Sequence, residues 1–267
     1  MTIDFEYDNI LLSALGYIIC DFSNSSGFKT VNNGSDIKFT TTSILNGNQW
    51  LATGTKYSEC LSTTFSICKS PCLSDEYDIG EITVDEITWF SRWLCRKTYK
   101  KFKLIKEGYE QIYFEGSFTM DRIMFNERVV GLELKFTTNR PFALYEPCTK
   151  TLNFTSSNQT LTFRDISDEI GYIYADTTIT CGSSGDFVLY NSVDDRYIVI
   201  NNCTAGEVIT MNYPVIKSSL TTHRIQDDFN FNFFRISNAW NNSLNKITAS
   251  MPCTIKFTYS PIRKVGV

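Results

Sequence analysis

Apolar and β-branched residues recur along this chain in short runs. Each run is bounded by clusters of Asn, Gly, Ser or Asp, a spacing that favours strands over helices. Ile112–Met120 is one such run, and Gly131–Thr137 alternates apolar and polar residues with the two-residue period of a half-buried strand. Asn33-Gly34 and Asn46-Gly47 have the composition of hairpin turns. The pattern continues through the second half as Tyr172–Tyr174, Thr178–Thr180, Phe187–Tyr190, Tyr197–Ile200, Glu207–Thr210 and Thr254–Thr258. Many short strands at even spacing predict a sandwich there, and an all-β chain overall.

One segment departs from this pattern. Thr83 is followed three residues later by Glu86, the spacing of a capping box, and Ile82 and Ile87 sit where a hydrophobic staple places its two residues. Ile87, Phe90 and Leu94 then fall on one face, with Trp89 and Trp93 beside them. These residues predict a helix over about 84–96 that covers a sheet with an apolar stripe.

Pro141 and Pro147 cannot sit in a central ladder, so the alternating strand before them ends there. The charge balance also changes at this point. Residues 1–147 hold 15 Lys and Arg against 19 Asp and Glu, whereas residues 148–267 hold 10 against 10. Two β-rich domains are therefore expected, 1–147 and 148–267. At 267 residues, 42% hydrophobic and 20% charged, the chain can bury a sizeable core and is not a disordered polymer. A net charge of −4 opposes a role in coating nucleic acid. The basic run from Arg96 to Lys106 reads as cations closing the helix, followed by a strand with one solvated face.

Signatures of chemistry are sparse. The sequence has no GxSxG elbow, phosphate loop, dinucleotide fingerprint or HExxH, and it contains one histidine, His223. Cys181-Gly182-Ser183-Ser184-Gly185-Asp186 lies between two predicted strands and reads as a turn. His223 is flanked by Thr221, Thr222 and Arg224, with Asp227 and Asp228 nearby; in so polar a stretch it reads as a surface or hydrogen-bonding residue. The nine cysteines are scattered apart from Cys68 and Cys72, so free, buried thiols are expected, with no metal and no cofactor. The apolar stretch Ile10–Cys20 is about half a membrane span, and no Lys or Arg precedes Lys29. The expectation is a chain made in a cytoplasm, with no membrane span and with its six Asn-x-Ser/Thr triplets silent.

The order of these segments resembles a known family. An apolar strand at Leu15–Cys20 is followed by the capped helix with Trp93-Leu94-Cys95-Arg96-Lys97, then by Tyr113-Phe114-Glu115-Gly116-Ser117-Phe118. The first domain closes with Glu133-Leu134-Lys135-Phe136-Thr137-Thr138-Asn139-Arg140-Pro141-Phe142-Ala143. This is similar to the distal tail proteins of long-tailed phages and prophages of Gram-positive bacteria, most specifically in the Thr-Thr-Asn-x-Pro-Phe-Ala ending. The second half resembles the family's galectin-like β-sandwich in length and β character. The resemblance implies an N-terminal β-sandwich or barrel-like ring domain and a non-enzymatic role at the virion tail tip. Six copies would form a homohexamer around a channel for DNA. The ring would join the tail tube protein to the tail-associated lysin or tail fibre hub and, in some members, to receptor-binding proteins. An acidic lumen would let DNA pass, because like charges forgo the counterion release that drives binding. Loops and edges such as residues 32–50 would be aggregation liabilities unless a ring covered them.

Three other readings stand beside this one. The alternative is a carbohydrate-binding tail module that recognises the host cell wall; the others are a glycan hydrolase and a DNA-binding protein. The residues offered as ligand or partner contacts are His223, Arg224 and Trp240, which lie outside the sugar-binding motif of galectins.

Overall fold

The computed structural model describes residues 4–22, 35–45, 47–71, 80–238 and 244–266. It is mostly strand and divides into two compact units, one formed by residues 1–144 together with 263–267 and the other by residues 145–262. The first unit is therefore discontinuous in sequence.

The first unit is built on a nine-stranded sheet. Its main path runs Ile10–Leu11, Asp4–Tyr7, Lys100–Ile105, Ile112–Phe125, Arg128–Thr138, Ser62–Lys69 and Tyr17–Cys20. Off this path, Ala143–Tyr145 pairs with Ile112–Phe125 and with Ile262–Arg263. The strand expected over 112–120 runs on to Phe125 because its turn lies further along, at Asn126 and Glu127. Both residues have positive φ (46° and 67°), the geometry of a tight two-residue hairpin turn. The register places Phe118 opposite Phe136 and Phe102 opposite Phe114. With Phe5 and Phe65 they form a packed aromatic core, in which the Phe102 and Phe136 ring centroids are 4.3 Å apart. Gly116 lies inside this core. A Cβ there would come within 3.0 Å of the Thr137 carbonyl oxygen and the Phe136 ring, so the close approach of the two strands requires glycine.

Helix Val84–Leu94 lies over this core. Thr83 accepts a hydrogen bond from the Glu86 N–H at 3.3 Å, and the Glu86 carboxylate accepts one from the Thr83 N–H at 2.8 Å, which forms the expected capping box. Ile87, Phe90, Trp93 and Leu94 are buried, while Trp89 stays 41% exposed. The Trp93 indole donates to the Tyr7 carbonyl at 3.0 Å, and the Phe90 ring meets Tyr17 edge-on at 4.7 Å. The helix stops two residues before the predicted end, because Cys95 leaves helical geometry (φ −84°, ψ 69°). Arg96 closes the helix as expected, its Nε donating to the Trp93 carbonyl at 3.1 Å, and it and Lys100 also reach Asp8, at 3.4 and 3.3 Å, while Lys101 and Lys106 lie over the rings of Tyr113 and Tyr109. The basic run is thus absorbed by neighbouring groups.

The second unit has antiparallel sheets of five and four strands. The first runs Cys148–Phe154, Cys253–Tyr259, Asp176–Cys181, Val208–Asn212 and Val215–Ser218. The second runs Gln159–Arg164, Leu244–Ala249, Gly185–Asn191 and Arg196–Cys203, and a separate pair joins Gly171–Tyr174 to Arg235–Asn238. Inward residues of both larger sheets, among them Phe163, Ile179, Phe187, Ile200, Ile247 and Phe257, share one core, as in a β-sandwich. Cys181, Cys203 and Cys253 belong to this core as free thiols, and burial pushes the Cys253 thiol up to about 12. The Cys203 thiol is raised too, chiefly by the neighbouring Cys181 and by burial, so these two stay protonated. Cys95 is exposed, Cys20, Cys60, Cys68 and Cys148 are intermediate, and Cys72 lies outside the described residues. The Cys181–Asp186 segment forms a turn between two strands. No helix among the described residues is long and apolar enough to cross a membrane.

Candidate functional site

Two features stand apart from the packing described so far: an exposed hairpin in the first unit and a polar cluster around the lone histidine in the second. The hairpin joins Ile37–Ser43 to Trp50–Tyr57 and forms a two-stranded sheet of its own. The sequence reads residues 32–50 as edge strands and loops with a hairpin-type turn at Asn46-Gly47, and the ribbon turns through Gly47. Ile37–Ser43 carries the β-branched and aromatic residues Ile37, Phe39, Thr40, Thr41 and Thr42, which favour a strand. The Gly47 N–H bonds to the Ile44 carbonyl at 2.9 Å within the connecting turn, whereas Asn46 lies outside the described residues, as do Asn33 and Gly34. At the base, the Ser58 N–H donates to the Asp36 carbonyl at 2.8 Å, and the Tyr57 ring meets Phe142 edge-on at 6.3 Å.

Almost nothing on this hairpin is buried. Every residue of Ile37–Ser43 is exposed, and Phe39 (63%), Leu45 (91%), Trp50 (70%) and Leu51 (53%) hold large apolar side chains in water. Ile37 and Phe39 share a face with Ser43, whose cross-strand partner is Trp50, so the two aromatics lie on one side of the ribbon. An isolated two-stranded ribbon is marginally stable by itself, and an apolar one with free edges is a template for strand pairing. Exposed aromatics on edges that no other described strand pairs are the chemistry of a contact surface.

In the second unit the His223 side chain is 5% exposed and hydrogen-bonded, the second of the two places that its polar sequence neighbourhood left open. Nδ1 lies 2.6 Å from the Glu207 carboxylate, and Glu207 also accepts from the Ser218 hydroxyl at 2.5 Å and the Thr204 N–H at 2.9 Å. Burial pushes the Glu207 carboxyl up, but those hydrogen bonds and the imidazole outweigh it and hold the group below the usual carboxylate range. On the other side of the ring, Nε2 is 3.3 Å from Asp228 Oδ2, too poorly aligned for a hydrogen bond. Asp228 Oδ1 accepts from the Asn202 amide at 2.8 Å. Glu207 comes from 16 residues upstream of the histidine, and no local signal in the sequence marked it.

The ring therefore faces a carboxylate on each side, and the nearby Ser218 hydroxyl is bonded to Glu207, so this is not a nucleophile–histidine–acid arrangement. Arg224 adjoins His223 but its side chain is 84% exposed and pairs with Asp227 at 3.0 Å. Trp240, the third residue singled out from sequence, lies outside the described residues. Among the described residues no group of three or more His, Cys, Asp or Glu side chains is arranged to hold a metal ion.

Comparisons with known proteins bear on the whole chain. Residues 1–140 match the family model described as a phage tail protein N-terminal domain, and residues 142–259 match that of a phage tail C-terminal domain. No curated protein matches. Among solved structures, the fold is similar to the Dit protein (gp 19.1) of phage SPP1, described as a paradigm of the hub adsorption apparatus in phages that infect Gram-positive bacteria. The TM-score is 0.65 at 12% identity, over 97% of this chain and 99% of that one. At that identity the likeness is one of fold. Two family models that together span nearly the full length, over a two-unit β architecture of the same kind, place this chain in the phage tail protein family as a structural protein of the tail.

Proposed function

We propose that this chain is a distal tail protein that closes into a homohexameric ring at the tail tip, with the 37–57 hairpin as the contact between neighbouring subunits. The observation that carries this reading is the unpaired hairpin. Among the described residues no strand pairs with its outer edges, Phe39, Leu45, Trp50 and Leu51 are exposed, and covering it by a second copy removes both liabilities. A hairpin that grips a different surface on the next copy makes a heterologous contact, and such contacts generate closed rings when the rotation between copies closes. The fold likeness over 97% of the chain supports the same assignment.

In this reading the ring joins the tail tube protein on one side to the tail-associated lysin or tail fibre hub on the other, and it offers an attachment point for receptor-binding proteins. DNA passes through its channel without specific binding. The excess of carboxylates in residues 1–147, 19 against 15 basic residues, suits a wall that must not retain a polyanion. The test is light scattering on the purified full-length chain, alone and with the neighbouring tail proteins. A species near six times 30.6 kDa that appears as a sixfold ring in negative stain is the expected result. A chain that stays monomeric even with those partners present overturns the proposal.

A further inference from the structure

Two cysteines of the second unit meet across its core. Cys181 is the last residue of Asp176–Cys181 in the five-stranded sheet, and Cys203 is the last residue of Arg196–Cys203 in the four-stranded one. Backbone hydrogen bonds hold these strand ends together. The Cys181 N–H donates to the Glu207 carbonyl at 2.9 Å, and the Gly206 N–H donates to the Cys181 carbonyl at 2.8 Å. The Ala205 N–H donates to the Ser184 hydroxyl at 2.9 Å, which ties the two following turns to each other. Inside this frame the Cys181 and Cys203 thiols are hydrogen-bonded to each other, and Cys203 Sγ lies 3.5 Å from the Ile200 carbonyl oxygen. Cys253 faces Cys181 within the five-stranded sheet, but burial alone raises its thiol. The sulfur contact therefore runs between the two sheets.

We propose that Cys181 and Cys203 form an inter-sheet disulfide when the protein meets an oxidant, and that this bond locks one end of the second sandwich. Thiols in a cytoplasm stay reduced, whereas a structural protein of a released virion is exposed to oxidising surroundings. Sulfurs already in contact need little backbone movement to close the bond. Both cysteines are buried, at 1% and 3% exposure, but exposed turn residues follow each of them, Gly182 and Ser184 after the first and residues 204–206 after the second. Local opening starts at strand ends of this kind, and it admits a small oxidant such as glutathione disulfide. In the opened state one cysteine thiolate attacks a glutathione sulfur, the glutathione S–S bond breaks, and one glutathione leaves as its thiolate. The second cysteine then attacks the protein-bound sulfur and expels the other glutathione. The two protein thiols lose two electrons and two protons, and the glutathione disulfide takes them up to become two glutathione thiols. The Cys203 thiol is held protonated while the strand end is closed, so the exchange is slow and follows the opening. The bond closes a loop of about twenty residues, which removes freedom from the unfolded chain. This inference does not depend on ring formation.

The test is to hold the native full-length chain with glutathione disulfide for days, block the remaining thiols, and map disulfides by tryptic digestion and mass spectrometry. Trypsin cuts after Arg164, Arg196 and Lys217, so the bond joins peptide 165–196 to peptide 197–217, each of which carries one cysteine. The expected result is that linked pair, lost on reduction, with the melting temperature of the second unit raised by about 5–10 °C. Cys203→Ser should abolish both the linked pair and the shift, and Cys253→Ser should keep both. The wild-type map decides the matter if Cys203→Ser fails to fold. A native chain in which Cys181 and Cys203 are not joined overturns the proposal, as does a link from Cys181 to Cys253. A link between Cys181 and Cys203 that forms only in urea, or that leaves the melting temperature unchanged, also overturns it, because the folded sandwich then neither positions the pair nor gains from it.

Discussion

Replacing Phe39 and Trp50 by serine in one variant tests the hairpin directly. In the free chain these side chains are 63% and 70% exposed, so their removal takes almost nothing from the subunit's own packing. Exposed substitutions of this kind change stability by about 0.5 kcal/mol or less, a shift in melting temperature of about 1–2 °C for a domain of this size. Association is a different matter. With roughly 200 Å² of surface per aromatic side chain, the two residues leave about 270 Å² in water. At ~25 cal/mol per Å² this sets an upper limit of about 7 kcal/mol for each subunit contact. If half of it is realised, the dissociation constant at each contact rises by about two decades. The assay is light scattering across a dilution series, paired with thermal unfolding of the same samples under conditions where the wild type is dissociated. On the proposed ring reading, the variant should remain monomeric at concentrations where the wild type assembles, with an unchanged monomer melting temperature. A variant that assembles like the wild type refutes the argument. So does a large drop in monomer stability, which would mean that the hairpin packs onto its own subunit.

Three further outcomes follow from the geometry. Gly116→Ala drives a methyl group into the Thr137 carbonyl oxygen and the Phe136 ring, so thermal unfolding should show a loss of about 1–3 kcal/mol in the first unit. Thr83→Ala removes the side-chain half of the capping box and should cost about 1 kcal/mol, while Thr83→Ser restores it. For Glu207 the folded carboxyl titrates below its ordinary value of 4.5, so its stabilising contribution is full above that value and is lost as pH falls through the lower, folded one. In Glu207→Gln the acid limb of the stability curve should therefore be flatter in that window, read by denaturant titrations at stepped pH. An unchanged slope would show that Glu207 is not held ionised by Ser218, Thr204 and His223.

What could be read from the sequence alone was whatever is decided within a few residues. The capping box at Thr83 and Glu86 needs contacts three positions apart, so the helix start was legible, as were the apolar stripe behind it and the strand periods of 131–137 and of the second unit. The family likeness was legible for a related reason, since it rests on runs of consecutive residues such as Thr137–Ala143. The helix end was less so, because the chain leaves helical geometry at Cys95 with no glycine or proline there to mark it.

The rest was settled by pairings between remote segments. Nothing local distinguishes a β-branched run that joins a sheet from one that stands alone, and only the strand register shows that Ile37–Ser43 and Trp50–Tyr57 pair with each other in a sheet of their own. The polar neighbours of His223 left a surface or a hydrogen-bonding place open, and Glu207 and Asp228, brought beside the ring from a turn and a short helix, decide for the second. Residues 263–267 belong to the first unit although they follow the whole of the second. Short-range hydrogen bonding and periodicity specify elements, but which faces are covered and which polar groups meet depends on contacts that chain proximity does not encode.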